Sequence, residues 1–214
     1  MHYEFLVEDK SCKRAMDILA PKILPGILTG EDTCRVIDYS GVGHIPKGLI
    51  TKIDASKRKL LNQLPRLLSG YGKTPNSGTV IVICDLDDKD KDVFLGELND
   101  ILQSCTQQPR AYFCLAIEEL EAWYLGDLNA IYTAYPSAKR QHLTRYVNDA
   151  ICGTWELLAD AIYPGGSKAL KKHGYQEVIG PEKFKWAEAI SPNMNIADNL
   201  SPSFQYLRDC LRAE

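Results

Sequence analysis

The stretch TVIVIC at residues 79–84, followed at once by Asp85-Leu86-Asp87-Asp88, constrains this chain most. An unbroken β-branched run is a strand buried on both faces, and such strands belong to parallel sheets covered by helices. The acids that follow put charge at the carboxyl end of a central strand. Further strand-like runs fall at 3–7, 35–39 and 111–116, and the last two share the wealth of Val, Ile, Phe and Tyr. Longer amphipathic segments separate them. The first half therefore reads as βαβαβαβ, an α/β fold with a four-stranded, mainly parallel sheet flanked by helices.

Between the first two runs, Ser11 is expected to cap a helix with Ala15, Ile18 and Leu19 on one face, interrupted by Pro21. A second helix is expected from Leu49, its apolar face built from Ile50, Ile53, Leu60, Leu61, Leu64, Leu67 and Leu68. A third, over 89–105, carries Val93, Phe94, Leu98, Ile101 and Leu102 as its inner stripe. From Glu118 onward the pattern is helical without strands, split by Tyr135-Pro136-Ser137, Tyr163-Pro164-Gly165-Gly166 and Ser191-Pro192-Asn193. The last helix has Ser201 as cap and Pro202 at its first position. An α/β domain over 1–126 and a helical appendage packed on it over 127–214 are the expected organisation. A length of 214 residues suits one core with a modest addition.

With 25 Lys and Arg against 28 Asp and Glu, the net charge of −3 gives no general attraction to a polyanion or an anionic bilayer. Contact with nucleic acid would need a local basic patch. No apolar stretch approaches the roughly 20 residues that span a membrane, and the opening MHYEFLVEDK has no signal-peptide character. Seven widely spaced cysteines lack metal or disulfide-framework spacing and read as reduced thiols of a cytoplasmic protein. Cys84 and Cys114, in strand-like runs, read as core.

Ligands of open parallel sheets collect beyond the carboxyl ends of the strands. Three of these ends are acidic: Glu8-Asp9 after the first run, Asp85 to Asp90 after the third, and Glu118-Glu119-Leu120-Glu121 after the fourth. Converging carboxylates repel one another unless a cation neutralises them, and hard oxygen ligands point to Mg²⁺ or Mn²⁺. The plainer explanation is that acids favour helix N-termini, which by itself would account for Glu118 and Asp88.

At Phe5-Leu6-Val7-Glu8 and Val82-Ile83-Cys84-Asp85-Leu86-Asp87 the sequence resembles the TOPRIM fold, the catalytic module of topoisomerases, primases and overcoming-lysogenization-defect nucleases. More narrowly it is similar to a TOPRIM-like domain-of-unknown-function family, number 4276, of small bacterial proteins often encoded beside an ABC-type ATPase. That similarity continues through Ala116 to Trp123, Gly166-Ser167-Lys168-Ala169-Leu170, Gly180-Pro181-Glu182 and Ser201-Pro202-Ser203-Phe204. Two departures are Asp9, where such families place Gly, and Ala169, where a second basic residue is common.

The resemblance implies a divalent-metal-dependent nuclease, linked to an ATPase partner and to antiphage defence, acting on DNA ahead of RNA. On that basis Glu8 is base or metal ligand, Asp85 and Asp87 hold Mg²⁺ or Mn²⁺, and Glu119 and Glu121 add ligands or orient them. Lys168, with Lys171, Lys172 and His173, is the first candidate for contacting substrate phosphates, and the basic face between Lys52 and Arg66 the second. Lys-rich faces are, however, often just solvated. His44, in the glycine loop after the second run, lies on the same crevice side. Trp123, Trp155 and Trp186 sit among apolar helical positions and read as packing.

Two other readings stand beside this one. The chain could be a non-catalytic interaction subunit of an ATPase complex. A haloacid-dehalogenase-like phosphatase also begins from Asp-x-Asp, but there the pair follows the first strand, whereas here it follows the third. No phosphate-binding Gly-x-x-x-x-Gly-Lys-Ser/Thr segment is present, so the chain by itself is not expected to hydrolyse nucleoside triphosphates.

Overall fold

A computed structural model describes residues 1–46, 58–150, 153–172 and 175–213, with only the backbone of Tyr175 and Gln176. Its centre is a four-stranded sheet in the order β2-β1-β3-β4, formed by β1 (His2–Val7), β2 (Thr33–Asp38), β3 (Thr79–Asp85) and β4 (Arg110–Ala116). All three pairings are parallel, with Val7 opposite both Asp38 and Ile83, and Asp85 opposite Ala116. The fold is thus α/β, as the buried runs require.

Strand periodicity explains those runs. Phe5, Val7, Ile81, Ile83, Cys114 and Ala116 enter one apolar cluster, while Leu6, Val80, Val82, Cys84, Phe113 and Leu115 enter another. Alternate side chains point to opposite faces, so a sheet covered on both sides needs apolar residues at every position. Helix α1 (Lys10–Ile23) covers the first face, together with the C-terminal helices. Between α1 and β2 lies the short α2 (Gly26–Thr29). The second face is covered by α3 (Leu60–Lys73) and α4 (Lys91–Gln103).

Local details differ from the sequence expectations in several places, among them the start of α3, at Leu60 after an extended Lys59 rather than at Leu49. The cap of α1 is Asp9, which accepts the Cys12 N–H at 2.8 Å, and Ser11 instead donates its hydroxyl to Asp9. Pro21 does not interrupt α1, whose last turn is held by Lys22 Nζ donating to the carbonyls of Pro192 and Met194 at 2.8 and 2.7 Å. Helix α4 starts after Asp90, which caps it, and Val93 is 63% exposed rather than part of the inner stripe. Leu49, Ile50, Ile53, Lys52, Lys57, Cys152 and His173 lie outside the described residues; the other six cysteines are free thiols, with Cys84 and Cys114 buried.

Beyond β4 the chain is helical: α5 (Glu121–Leu125), α6 (Leu128–Ala134), α7 (Arg140–Leu143), α8 (Thr154–Ile162), α9 (Gly166–Lys171), α10 (Gly180–Ile190) and α11 (Pro202–Arg212), with a π-helical turn at Tyr175–Ile179. Helix α10 packs on α1 and α11 on β4, so one apolar cluster runs from the sheet into these helices. Trp123, Trp155 and Trp186 are all buried in it, and the Trp123 indole N–H donates to Ser203 Oγ at 3.0 Å. Ser201 caps α11 with Pro202 at its first position, as the sequence indicates. Among the described residues no helix is long and apolar enough to cross a membrane.

Candidate active site at the sheet switch point

From β1 the chain first adds β2 on one side, and later β3 on the other, so the connections diverge between β1 and β3. This is the crevice where open α/β sheets bind ligands. Glu8 leaves β1 and Asp85 ends β3 at that point, and the Asp85 N–H donates to Glu8 Oε2 at 3.3 Å. The glycine loop after β2 closes over Glu8: Gly41 N–H donates to the Glu8 carbonyl at 3.0 Å, and a backbone hydrogen bond from Val42 reaches the carboxylate. Gly41 and Gly43 have φ of 102° and 73°, and a Cβ on Gly43 would collide with the Asn62 side chain. His44 is exposed on this loop and makes its described bond through its backbone N–H, to Asn62.

Asp87 is placed differently. Its backbone is left-handed (φ 52°), and its 45%-exposed carboxylate pairs with Lys89 at 2.9 Å. Its charge still reaches Glu8. Asp88 is exposed, and Asp90 is committed to capping α4 through the N–H groups of Asp92 and Val93.

The turn after β4 brings a second pair of acids. Glu121 opens α5 and is 1% exposed, and Glu119 is mostly buried beside it. Between them lies Lys183 of α10, 3.1 Å from Glu119 Oε2 and 3.3 Å from Glu121 Oε2. Lys183 is itself 3% exposed. Beyond this ion pairing, Glu119 Oε2 meets no hydrogen-bond donor among the described residues, and the Glu121 carboxylate has only its own backbone N–H close by. A buried carboxylate left short of donors is costly, which marks the spot as electrostatically incomplete.

The electrostatics of the two pairs are linked. Burial holds the Asp85 carboxyl well above the usual range, Glu8 pushes it further, and Lys183 opposes both. Burial likewise raises Glu8, against the backbone bond from Asp85. Glu119 is pushed up to about 8 by burial, with Lys183 opposing and the Glu121 charge adding to the rise. Burial raises Glu121 too, again against Lys183.

Lys168 is exposed on α9, a helix that packs on α8 and the π-helical turn. Its neighbour Lys171 is engaged by Glu156 at 3.1 Å and by the Trp155 ring at 5.4 Å. Arg58 and Lys59 bond the Asp38 and Ser40 carbonyls, and Arg66 is exposed on α3.

A family model described as domain of unknown function (DUF4276) matches residues 7–212. The chain belongs to this family. No curated protein and no solved structure matches it. The DUF4276 match spans Glu8, Asp85, Asp87, Glu119, Glu121, Lys168 and Lys183 alike. In this DUF4276 chain Asp9 serves as the cap of α1.

The donor set suits a hard dication, because Mg²⁺ is commonly held through one or two carboxylates and completes its shell with water and substrate oxygens. The Glu8 and Asp85 carboxyls supply such a pair. Among the described residues no group of three His, Cys, Asp or Glu side chains stands ready as a complete metal cage. Lys183 is the site residue that sequence reasoning missed. Only its place in the charged segment Glu182-Lys183-Phe184-Lys185 was visible, and that reads as an exposed helix face.

Proposed function

We propose that this DUF4276 protein is a divalent-metal-dependent nuclease that cleaves phosphodiesters of nucleic acid, DNA ahead of RNA, with Mg²⁺ or Mn²⁺ at Glu8 and Asp85. On the resemblance to TOPRIM-like nucleases, it is the effector of an ATPase-linked antiphage defence system. The observation that supports the reading is the meeting of Glu8 and Asp85 at the sheet switch point, where the Asp85 N–H donates to the Glu8 carboxylate and the Glu8 and Glu119 charges both act on the Asp85 carboxyl. When bound, a dication supplies an acidified water and charge stabilisation at the phosphate. Glu8, its pKa raised by burial, is a stronger base than an ordinary carboxylate and is assigned to take the proton or to hold the metal. Asp85 is fixed by its place at the end of a buried strand, and Asp87, exposed and paired with Lys89, is assigned to the substrate side. Glu119 and Glu121 are assigned to orient this arrangement, with Lys183 offsetting part of their charge. Lys168, exposed on α9, is assigned to phosphate contact.

A second reading, a non-catalytic interaction subunit of an ATPase complex, is favoured by one observation: Lys183 already lies between Glu119 and Glu121. Incubation of the protein with plasmid and single-stranded DNA, with Mg²⁺, Mn²⁺ or EDTA, separates the two. Metal-dependent cutting by the wild type that Asp85→Asn abolishes, with an unchanged circular dichroism spectrum, supports the nuclease. A wild type that neither cuts nor takes up Mn²⁺ in calorimetry overturns it in favour of the subunit.

A further inference from the structure

Two non-glycine residues with left-handed backbones meet at this site: Asp87, with φ 52°, and Glu118, with φ 62°. They are joined directly, since the Asp87 N–H donates to the Glu118 carbonyl at 3.0 Å, next to the bond from Leu86 N–H to the Ala116 carbonyl at 2.9 Å. Glu118 reaches the other way with its side chain. Its two carboxylate oxygens accept the N–H groups of Gly153 and Thr154, at 2.5 and 2.7 Å, where α8 begins. Helix α8 packs on α5, whose first residue is Glu121.

One residue thus binds three parts. Its carbonyl holds the loop carrying Asp85 and Asp87, its carboxylate holds the start of α8, and its own peptide bond leads into Glu119. Left-handed backbone disfavours any residue with a Cβ and persists where its surroundings over-determine it. Here the two charge-assisted bonds to α8 are what fix the turn.

We propose that Glu118 is a positioning residue of the acidic site, coupling the docking of the helical half to the placement of the Asp85–Asp87 loop and Glu119. The inference rests on the nuclease reading for the chemistry it serves, but not for the coupling. It makes the carboxylates responsive to whatever displaces α8, so that a partner gripping the helical half would regulate the site without touching it. A simple helix cap is the alternative: it would stabilise α8 and nothing else.

Hydrogen–deuterium exchange on the full-length protein tests this with Glu118→Gln and Glu118→Ala. Glu118→Gln keeps the side-chain length and one acceptor, so it carries the measurement if Glu118→Ala does not fold. Faster exchange at residues 153–158 accompanied by faster exchange at 85–90 is expected, smaller in Glu118→Gln than in Glu118→Ala. Mn²⁺ affinity by calorimetry should fall by about 10-fold, as for other groups that orient ligands. Faster exchange confined to 153–158, with 85–90 unchanged, overturns the proposal. A wild type that binds no Mn²⁺ refutes the nuclease reading, while the exchange data decide the coupling on their own.

Discussion

Without metal, this protein should become more stable as the pH falls from 8 to 5, the reverse of what ionised, paired carboxylates give. Glu8, Asp85, Glu119 and Glu121 all have raised pKa values in the folded chain. Between the ordinary and the raised pKa, the native state binds more protons than the unfolded state, so stability is greatest below the ordinary value and is lost as pH rises through the raised one. For Glu119 the window runs from 4.5 to about 8, and the 17% exposure of its side chain keeps the effect only weakly screened. A difference of that size corresponds to at most about 5 kcal/mol, at about 1.4 kcal/mol per unit. Because Glu119 and Glu121 share Lys183, the protons belong to the group rather than to one residue. One extra proton held across the range gives about 4 kcal/mol between pH 8 and 5. At a urea dependence of about 2 kcal/mol/M, that shifts the midpoint by about 2 M. Urea titrations in EDTA from pH 5 to 8, followed by the fluorescence of the buried Trp123 and Trp186, measure it directly. A dication at 100 times its Kd should restore about 2.7 kcal/mol at pH 8. A midpoint that stays flat or rises with pH would refute the reasoning, because the carboxyls would then be ionised and compensated within the fold.

Substitutions at three positions extend this. Lys183→Met removes the cation between Glu119 and Glu121 and should cost about 3–5 kcal/mol at pH 8, as for other broken buried pairs, and clearly less at pH 5, by the same urea titration. Asp149 has φ 57° and accepts Ser201 Oγ at 2.9 Å and Ser203 N–H at 2.7 Å, so Asp149→Ala should lose about 2 kcal/mol in chemical denaturation, and Asp149→Gly, which relieves the backbone, less. Asp9→Ala should destabilise by about 1 kcal/mol through loss of the α1 cap, whereas Asp9→Gly should cost only a few tenths; equal losses in thermal melts would show that Asp9 does more than cap.

The strands were legible because a sheet buried on both faces writes itself as unbroken apolar runs, and the acids after them stand where the crevice must be. The helix starts were less legible. Asp9 and Ser11 both offer a capping oxygen, and only the extended backbone of Asp9, with φ −147°, selects it. Pro21 reads as a break, but three carbonyls of the 191–194 segment hold Lys22 from a distance that no local pattern records. Val93 fits the apolar spacing of α4, yet the sheet meets that helix along Phe94, Leu98 and Ile101. Local periodicity gives the width of a face and not its centre.

Glu8, Asp85, Glu119 and Glu121 could be named from strand ends, whereas Lys183 could not, because it is brought in by the packing of α10 on α1. Its presence sharpens the chemistry. A purely structural network would match buried acids with buried bases, but around these four raised carboxyls Lys183 is the cation between Glu119 and Glu121, and Lys89 goes to Asp87 instead. Glu8 and Asp85 make no ion pair with a basic side chain among the described residues, and Lys183 offsets Asp85 only through its field. The fold can keep that imbalance in two ways, by holding protons or by holding a dication. The first costs stability as the pH rises; the second removes the cost and is what the proposed nuclease reading requires. The pH dependence with and without Mn²⁺ therefore reports which of the two the site is built for.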